Sequence, residues 1–429
     1  MTVSEDAEDT KAGDGAGTET GSLWRNRDYA GWWLGETVSG FGSALSAFAY
    51  PVLILVTTGS AAHAGIVGSA EGIGLLVTML IGGALADRYS RRTILLAGPL
   101  LQALAVGSVF AAVALGHVNL VHVAAVGLLQ GIISGLTYGA ERPALRRIVP
   151  ARQLPNAFAQ MQGRNMATRL AGPPAGGWLF TLGRWVPFFG DAVSYLAAAV
   201  GVFLIRRPLG PEADEHTRRE PILASIRGGM QYIRADAYLR FLTVWTAGFN
   251  AIATGVYLLV VVLVRAHGGG PTLIGAVTAI GAAGGLAGAF LSGRITTRWH
   301  GRTVVIALSW ITVADFAAIG FVPVPWLIGV LLAFMLFLVS PINVIFATYE
   351  TRMIPDELLG RVSTAIDFGA SSLRWLGPLG AGLLAAAIDP TRAMLVLTAL
   401  VAVLAVSTHL ARGLLVLDLP IDQVGPGHS

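Results

Sequence analysis

Apolar runs of about 20 residues recur from near residue 30 to residue 412, each closed by polar or turn-forming residues. As a helix rising ~1.5 Å per residue, such a run crosses a hydrocarbon core about 30 Å thick. A chain that repeats the pattern throughout has no soluble fold open to it. Hydrophobic residues make up 54% of the sequence and charged residues 13%, against about 25% charged in soluble chains. Transmembrane β-barrels are excluded too, because their strands alternate polar and apolar over roughly ten residues. The fold class read here is an all-α, membrane-embedded protein.

Twelve spans are expected, at roughly 30–57, 64–86, 93–115, 119–141, 157–182, 187–205, 238–265, 272–294, 303–322, 326–349, 361–388 and 391–412. Residues 1–28, acidic and without apolar periodicity, read as a disordered cytoplasmic tail with none of the regions of a cleaved signal peptide. The rest divides into a six-helix half (29–206), a cytoplasmic linker (207–237), a second six-helix half (238–412) and a tail (413–429). Within the linker, Ile222 to Ile233 reads as an amphipathic helix on the membrane surface. With both ends inside, 23 of the 29 basic residues fall in or beside the cytoplasmic loops and tails, and three in the opposite loops. That asymmetry sets the orientation and explains the net charge of +4 without nucleic acid. The absence of cysteine removes disulfides, thiol catalysis and cysteine metal ligands.

The halves repeat. At an offset of 205, Arg147 matches Arg352, Arg169 matches Arg374, and Gly172-Pro173 matches Gly377-Pro378; at 210, Gly83 matches Gly293 and Arg88 matches Arg298. Paired halves around a midplane site are a recurrent plan of secondary transporters. The loop after span 2 carries Gly83, Asp87, Arg88, Arg91 and Arg92, with Ser90 between the charges. Span 5 carries Gly172, Pro173, Gly176 and Gly177, a proline kink flanked by glycines. Together these resemble the loop signature and the antiporter motif of the major facilitator superfamily. The whole of residues 24–412 is most similar to its twelve-helix drug:proton antiporter branch, which includes macrolide and enterobactin exporters. Another exporter branch has an arginine in span 4 where this chain has Gly127, so a relay built on that arginine does not carry over.

Ionisable groups inside spans are costly and point to function. Those expected here are Glu36, Glu71, Arg164, Arg169, Asp315, Asp367 and Arg374. Depth pairs Glu36 with Arg164, and Glu71 with Arg374, either as proton-coupling sites or as static ion pairs. Asp315 ranks lower on a helix that the resemblance makes peripheral, and Asp191 is read as interfacial. By the same resemblance, helices 1, 4, 7 and 10 line the substrate path. They offer Phe41, Phe48, Tyr50, Gln130, Trp245, Phe249, Asn250, Tyr257, Phe334, Met335, Phe337 and Asn343. An aromatic and methionine wall with a few amides would suit an amphipathic organic molecule. The phosphate loop, H-E-x-x-H and G-x-S-x-G are absent, so no enzyme, cofactor or metal site is expected. The reading is a monomeric exporter in the cell membrane that exchanges a hydrophobic or amphipathic small molecule for protons. The alternatives are a narrow siderophore or biosynthetic-product exporter, an importer, and a non-transporting membrane sensor.

Overall fold

The computed structural model describes residues 22–88, 90–207, 222–419 and 423–425, with side chains at all of these except 80–88, 142–143, 222–226 and 356. Among the described residues all regular structure is helical. The first half is built from α1 (Arg27–Thr58), α2 (Ala61–Arg88), α3 (Arg91–Ala114), α4 (Leu120–Ile148), α5 (Leu154–Leu182) and α6 (Val186–Phe203). After the linker helix α7 (Ile222–Ala235) come α8 (Ala237–Ala266), α9 (Pro271–Arg298), α10 (Gly301–Phe321) and α11 (Pro325–Met353). The chain closes with α12 (Asp356–Ser371), α13 (Leu376–Ile388) and α14 (Pro390–Leu410).

Ten of these helices are long and apolar enough to cross a membrane by length and composition. The sequence reading expected twelve spans. One of the two remaining segments is α5, whose interior carries Arg164, Asn165 and Arg169. The other is the expected span 361–388, which is not one helix. It breaks at residues 372–375 into α12 and α13, and side chains from neighbouring helices take up the carbonyls freed at the break. Asn250 Nδ2 donates to Ala370 O (3.0 Å), Thr254 Oγ1 to Arg374 O (3.0 Å) and Ser69 Oγ to Trp375 O (2.7 Å). Satisfying such groups is what allows irregular backbone inside a membrane.

Contact pairs set the directions of the helices. Asn26, ahead of α1, donates to Ile148 O at the end of α4 (2.8 Å). The 3-10 turn Arg412–Asp418 after α14 lies against the start of α10 through Arg302 and Asp418 (3.1 Å). We call this side, where α1 begins and α14 ends, the terminal face, and the opposite side the far face. Residues 23–25, within the expected tail, form a 3-10 turn with Leu23 buried. After α14, Leu414 and Leu417 are buried and Tyr349 Oη donates to Leu419 O (2.9 Å). Gly229 of α7 backs onto the Arg361 carbonyl, and Tyr232 Oη donates to Met353 O (3.0 Å).

The two halves meet through bare backbone near the far face. Gly65 of α2 lies against Pro378 and Gly382 of α13, and Gly177 of α5 lies against Pro271 and Gly275 of α9. These are one contact in two copies: Gly177 and Gly382 are related by the offset of 205, Gly65 and Gly275 by that of 210. Counted from the far ends of α2 and α5, this packing lies within about 17 Å of the far face. Toward the terminal face, no comparable glycine packing between the halves is found among the described residues. Among the described residues, close backbone contact between the halves is therefore concentrated at the far face.

A methyl group at Gly382 would stand 2.5 Å from the Ala61 carbonyl oxygen, and one at Gly177 would stand 2.6 Å from that of Pro271. Overpacking of this kind costs about 1–3 kcal/mol, here only in the far-closed state. Gly177→Val and Gly382→Val should each shift the population toward far-side opening by roughly 5- to 100-fold. A single cysteine at Ser43, introduced into this cysteine-free chain, measures it. Labelling by an impermeant maleimide from the terminal side should fall, and unchanged labelling would refute the contact as the far closure.

Candidate functional site

Helix α1 puts Glu36, Ser39, Ser43, Ser46 and Tyr50 at intervals of three and four, so they form one stripe. Gly35 and Gly42, turned the other way, let α6 approach: Gly35 meets Ala197 and Ala198, and Gly42 meets Ser194 and Asp191. The polar stripe thus faces the interior of the first half. It lines a cavity of about 370 Å³ together with Glu71 of α2, Gln102 of α3, Gln130 and Glu141 of α4, Arg164 of α5 and Tyr195 of α6. Hydroxyls dominate its wall, and they bond among themselves and to amides. Ser43 Oγ and Tyr195 Oη are 3.0 Å apart, and Gln102 Nε2 donates to Ser134 Oγ (3.2 Å).

Glu36 and Arg164 share this cavity and feel each other's charge, but they do not form an ion pair. The Arg164 guanidinium instead stacks over Trp32 at 5.6 Å and donates through Nε and Nη2 to Asn165 Oδ1 (both 3.3 Å). Its Nη1 is buried without a partner. An arginine held by a ring and an amide leaves a neighbouring carboxylate free to take up or release a proton.

Glu71 lines the same cavity at the border with the second half, within electrostatic range of Arg374. An ion pair between them was one of the two readings that their depth allowed. In the structure the two groups are not in salt-bridge contact. The reason is the break in the expected span 11, which puts Arg374 on an irregular turn beside a second cation, Arg169. Glu71, Arg169 and Arg374 form a loose three-charge group across the interface instead.

The remaining predicted residues scatter. Asp315 is buried within α10, and neither of its carboxylate oxygens has a hydrogen-bond partner. Asp367, on α12, lies near Glu350 of α11, which accepts a bond from Ser363 Oγ (2.8 Å). The kink motif packs as helix contacts: Gly172 on Ala44, Gly176 on Phe48, Gly377 on Ala251 and Thr254, and Pro378 on Gly68. In the loop signature, Arg91 is buried and Arg92 Nη2 donates to Phe203 O (2.8 Å), while the side chains of Gly83, Asp87 and Arg88 lie outside those described.

The residues expected to line the substrate path lie in several places. Tyr50 and Gln130 line the cavity and Phe48 is buried beside it, but Phe41 looks onto a groove on another side of α1. Trp245 and Phe249 stack on each other at 5.2 Å inside the second half, where Trp245 Nε1 donates to Leu404 O (3.2 Å). Met335 is buried, Phe337 half-buried, and Phe334, Asn343 and Tyr257 are exposed. Asn250 is committed to the helix break. Phe48, Trp245 and Phe249 thus serve the core, whereas Phe41, Tyr257 and Phe334 do not.

Asp191 corrects the sequence reading outright. Its position near the start of α6 suggested an interfacial residue, yet it is fully buried. Its Oδ1 accepts from Ser194 Oγ (3.4 Å), and it neighbours Ser46, Tyr50, Tyr195 and Glu71 behind the cavity wall. The available signal was a serine one turn later, in a helix that is otherwise nearly all apolar. Asp191→Asn keeps the shape and most hydrogen bonds while removing the charge. Thermal stability of the purified variant should change by no more than about 1 kcal/mol, and transport in vesicles should fall at least tenfold. Full transport would mean that Asp191 only packs.

Comparison with known proteins agrees with this architecture. A family model described as Major Facilitator Superfamily matches residues 32–378. The chain is 28% identical over 359 residues to the multidrug efflux pump Tap of Mycolicibacterium fortuitum, covering 80% of this chain and 86% of that one. It is 25% identical over 360 residues to the enterobactin exporter EntS of Shigella flexneri, covering 81% and 84%. Among solved structures, a bacterial homologue of the human lysosomal transporter Spinster, inward-facing and occupied, superposes with TM-score 0.72 at 14% identity, covering 93% of this chain and 99% of that one. The nucleoside transporter NupG gives TM-score 0.70 at 14% identity, covering 89% and 98%. The match over most of its length places this chain in the Major Facilitator Superfamily, as a multi-pass membrane transporter.

Proposed function

We propose that the protein is a secondary active exporter that expels amphipathic small organic molecules in exchange for protons. The observation that carries this is the cavity of the first half: Glu36 and Glu71 face it, each near an arginine that does not hold it in an ion pair. A carboxylate so placed binds a proton when the cavity is emptied and loses it when a cationic or hydrogen-bonding ligand arrives. The names of the two relatives, an efflux pump and an exporter, support the direction. The serine, tyrosine and glutamine lining favours a substrate with several hydroxyl or amine groups. The charge bias toward the terminal face supports cytoplasmic termini in a bacterial inner membrane. An exporter of this kind loads its substrate from the cytoplasmic side, and in this orientation that is the terminal face. Alternating access then requires the far-face contacts to part while the terminal side closes.

Inverted vesicles test the coupling. Uptake of hydroxyl- and amine-bearing amphipathic compounds should follow an imposed proton gradient, stop when the gradient is collapsed, and ignore ATP when the gradient is clamped. Glu36→Gln should abolish the gradient dependence at unchanged expression. Transport that survives gradient collapse, or that follows ATP alone, refutes the reading.

A further inference from the structure

On the side of α1 turned away from the polar cavity, an apolar groove runs between α1 and α5. Its walls include Trp33, Val38 and Phe41 on α1 and Ala167 and Ala171 on α5, and Arg164 of the polar cavity also borders it. Leu34 and Val38 beside it are 55% and 46% exposed, which marks this as the face that lipid covers. From Gln160 to Ala171 the groove spans about 16 Å, half of a hydrocarbon core. At its terminal-face end stand Trp24 and Gln160. Trp24 is exposed and meets Trp33 edge-on at 4.8 Å, an amphipathic pair at the height where headgroups begin.

Trp24 and Gln160 also line a second space, a cleft of about 870 Å³ on the terminal face. Among the described residues, four arginines line it, Arg25, Arg27, Arg152 and Arg207, with one acid, Asp28. The cleft is built rather than incidental. Asp28 accepts from Arg206 N (3.1 Å) and lies 4.0 Å from Arg207 Nε, while Arg207 Nη1 donates to Arg147 O (3.3 Å). Among the described residues, Arg25, Arg27 and Arg152 have no acidic partner. Helix α5 starts at the cleft with no side-chain cap on its first amides, so the positive end of its dipole points there as well.

A basic cleft that continues into an apolar groove through an interfacial tryptophan has the polarity of one molecule type. We infer that this is a binding site for an anionic phospholipid, with the phosphodiester headgroup among Arg25, Arg27 and Arg152 and an acyl chain between α1 and α5. Guanidinium groups pair with phosphate through two parallel hydrogen bonds, and the groove supplies the area that a free anion would not use. Because α1 also carries the polar stripe and α5 carries Arg164, a lipid seated here touches the outer sides of the two helices that form the cavity.

The test is binding to the purified full chain in detergent, read by native mass spectrometry and by thermal shift. The probes are phosphatidylglycerol, phosphatidylcholine with the same chains, and inorganic phosphate. Phosphatidylglycerol should bind at least tenfold more tightly than phosphatidylcholine, and the preference should shrink at high salt. The triple variant R25Q/R27Q/R152Q should lose that preference. Ala167→Phe with Ala171→Phe fills the groove at two exposed positions with every arginine intact, and should weaken phosphatidylglycerol at least tenfold. Arg298→Gln, away from the site, should change nothing. Equal binding of the two lipids overturns the inference. So does displacement of phosphatidylglycerol by millimolar phosphate together with an unaffected groove variant, which would make the cleft a site for free anions. If the triple variant does not fold, the groove variant alone decides.

Discussion

Contact between bare backbones at the far face governs the rest of this structure. Water is not present in the bilayer to drive helices together, so association depends on how closely their main chains can approach. Gly65 with Gly382 and Gly177 with Gly275 provide that approach in two symmetry-related copies. Removing side chains there has a second effect. The contact is a flat seam with little interdigitation to undo, and a seam can open without unpacking either half. The glycine contacts hold the two halves together at their far ends, while the loose spacing of Glu71, Arg169 and Arg374 follows from the helix break at residues 372–375.

Within the first half, the same economy of side chains is used differently. Helix α1 spends its glycines on α6 and turns its serines, its glutamate and Tyr50 inward, so that an apolar chain encloses a polar interior. The second half encloses a more apolar one, with Trp245, Phe249 and Phe346 filling the matching region. The two repeat-related halves are therefore unequal: the first holds a polar cavity with Glu36, Glu71 and Arg164, and the second packs aromatic rings in its interior.

What could be read in the sequence was what depends on period and repetition. The length of the apolar runs marked the helices, and the offsets of 205 and 210 revealed the repeat, but the seam glycines Gly65, Gly275 and Gly382 were not among the matches read from it. The intramembrane charges were legible as oddities, and Glu36, Glu71 and Arg164 do come to one cavity. Their pairing was not legible, because depth along a helix fixes one coordinate and leaves the rotation of the side chain open. Trp32, one helical turn below Glu36, takes the arginine that depth had assigned to the glutamate. Which aromatic residues join the packed core was not legible for a related reason. Composition shows that a helix has large rings, but not which of its faces meets the neighbour. Asp191 was missed because position near a helix end was taken for exposure, whereas α6 starts beneath the packed rings of Tyr50 and Phe188.

The break at residues 372–375 ties the movement of the halves to water. Of the donors that hold its carbonyls, Asn250 and Thr254 come from its own half, while Ser69 comes from the other. When the far seam opens, Ser69 leaves and the Trp375 carbonyl has lost its partner. A buried carbonyl without one costs about 1–3 kcal/mol. That cost disappears if a water molecule enters with the departure of the hydroxyl. Entry of water at the turn would then accompany separation of the seam, which makes Ser69 the side chain that links the two.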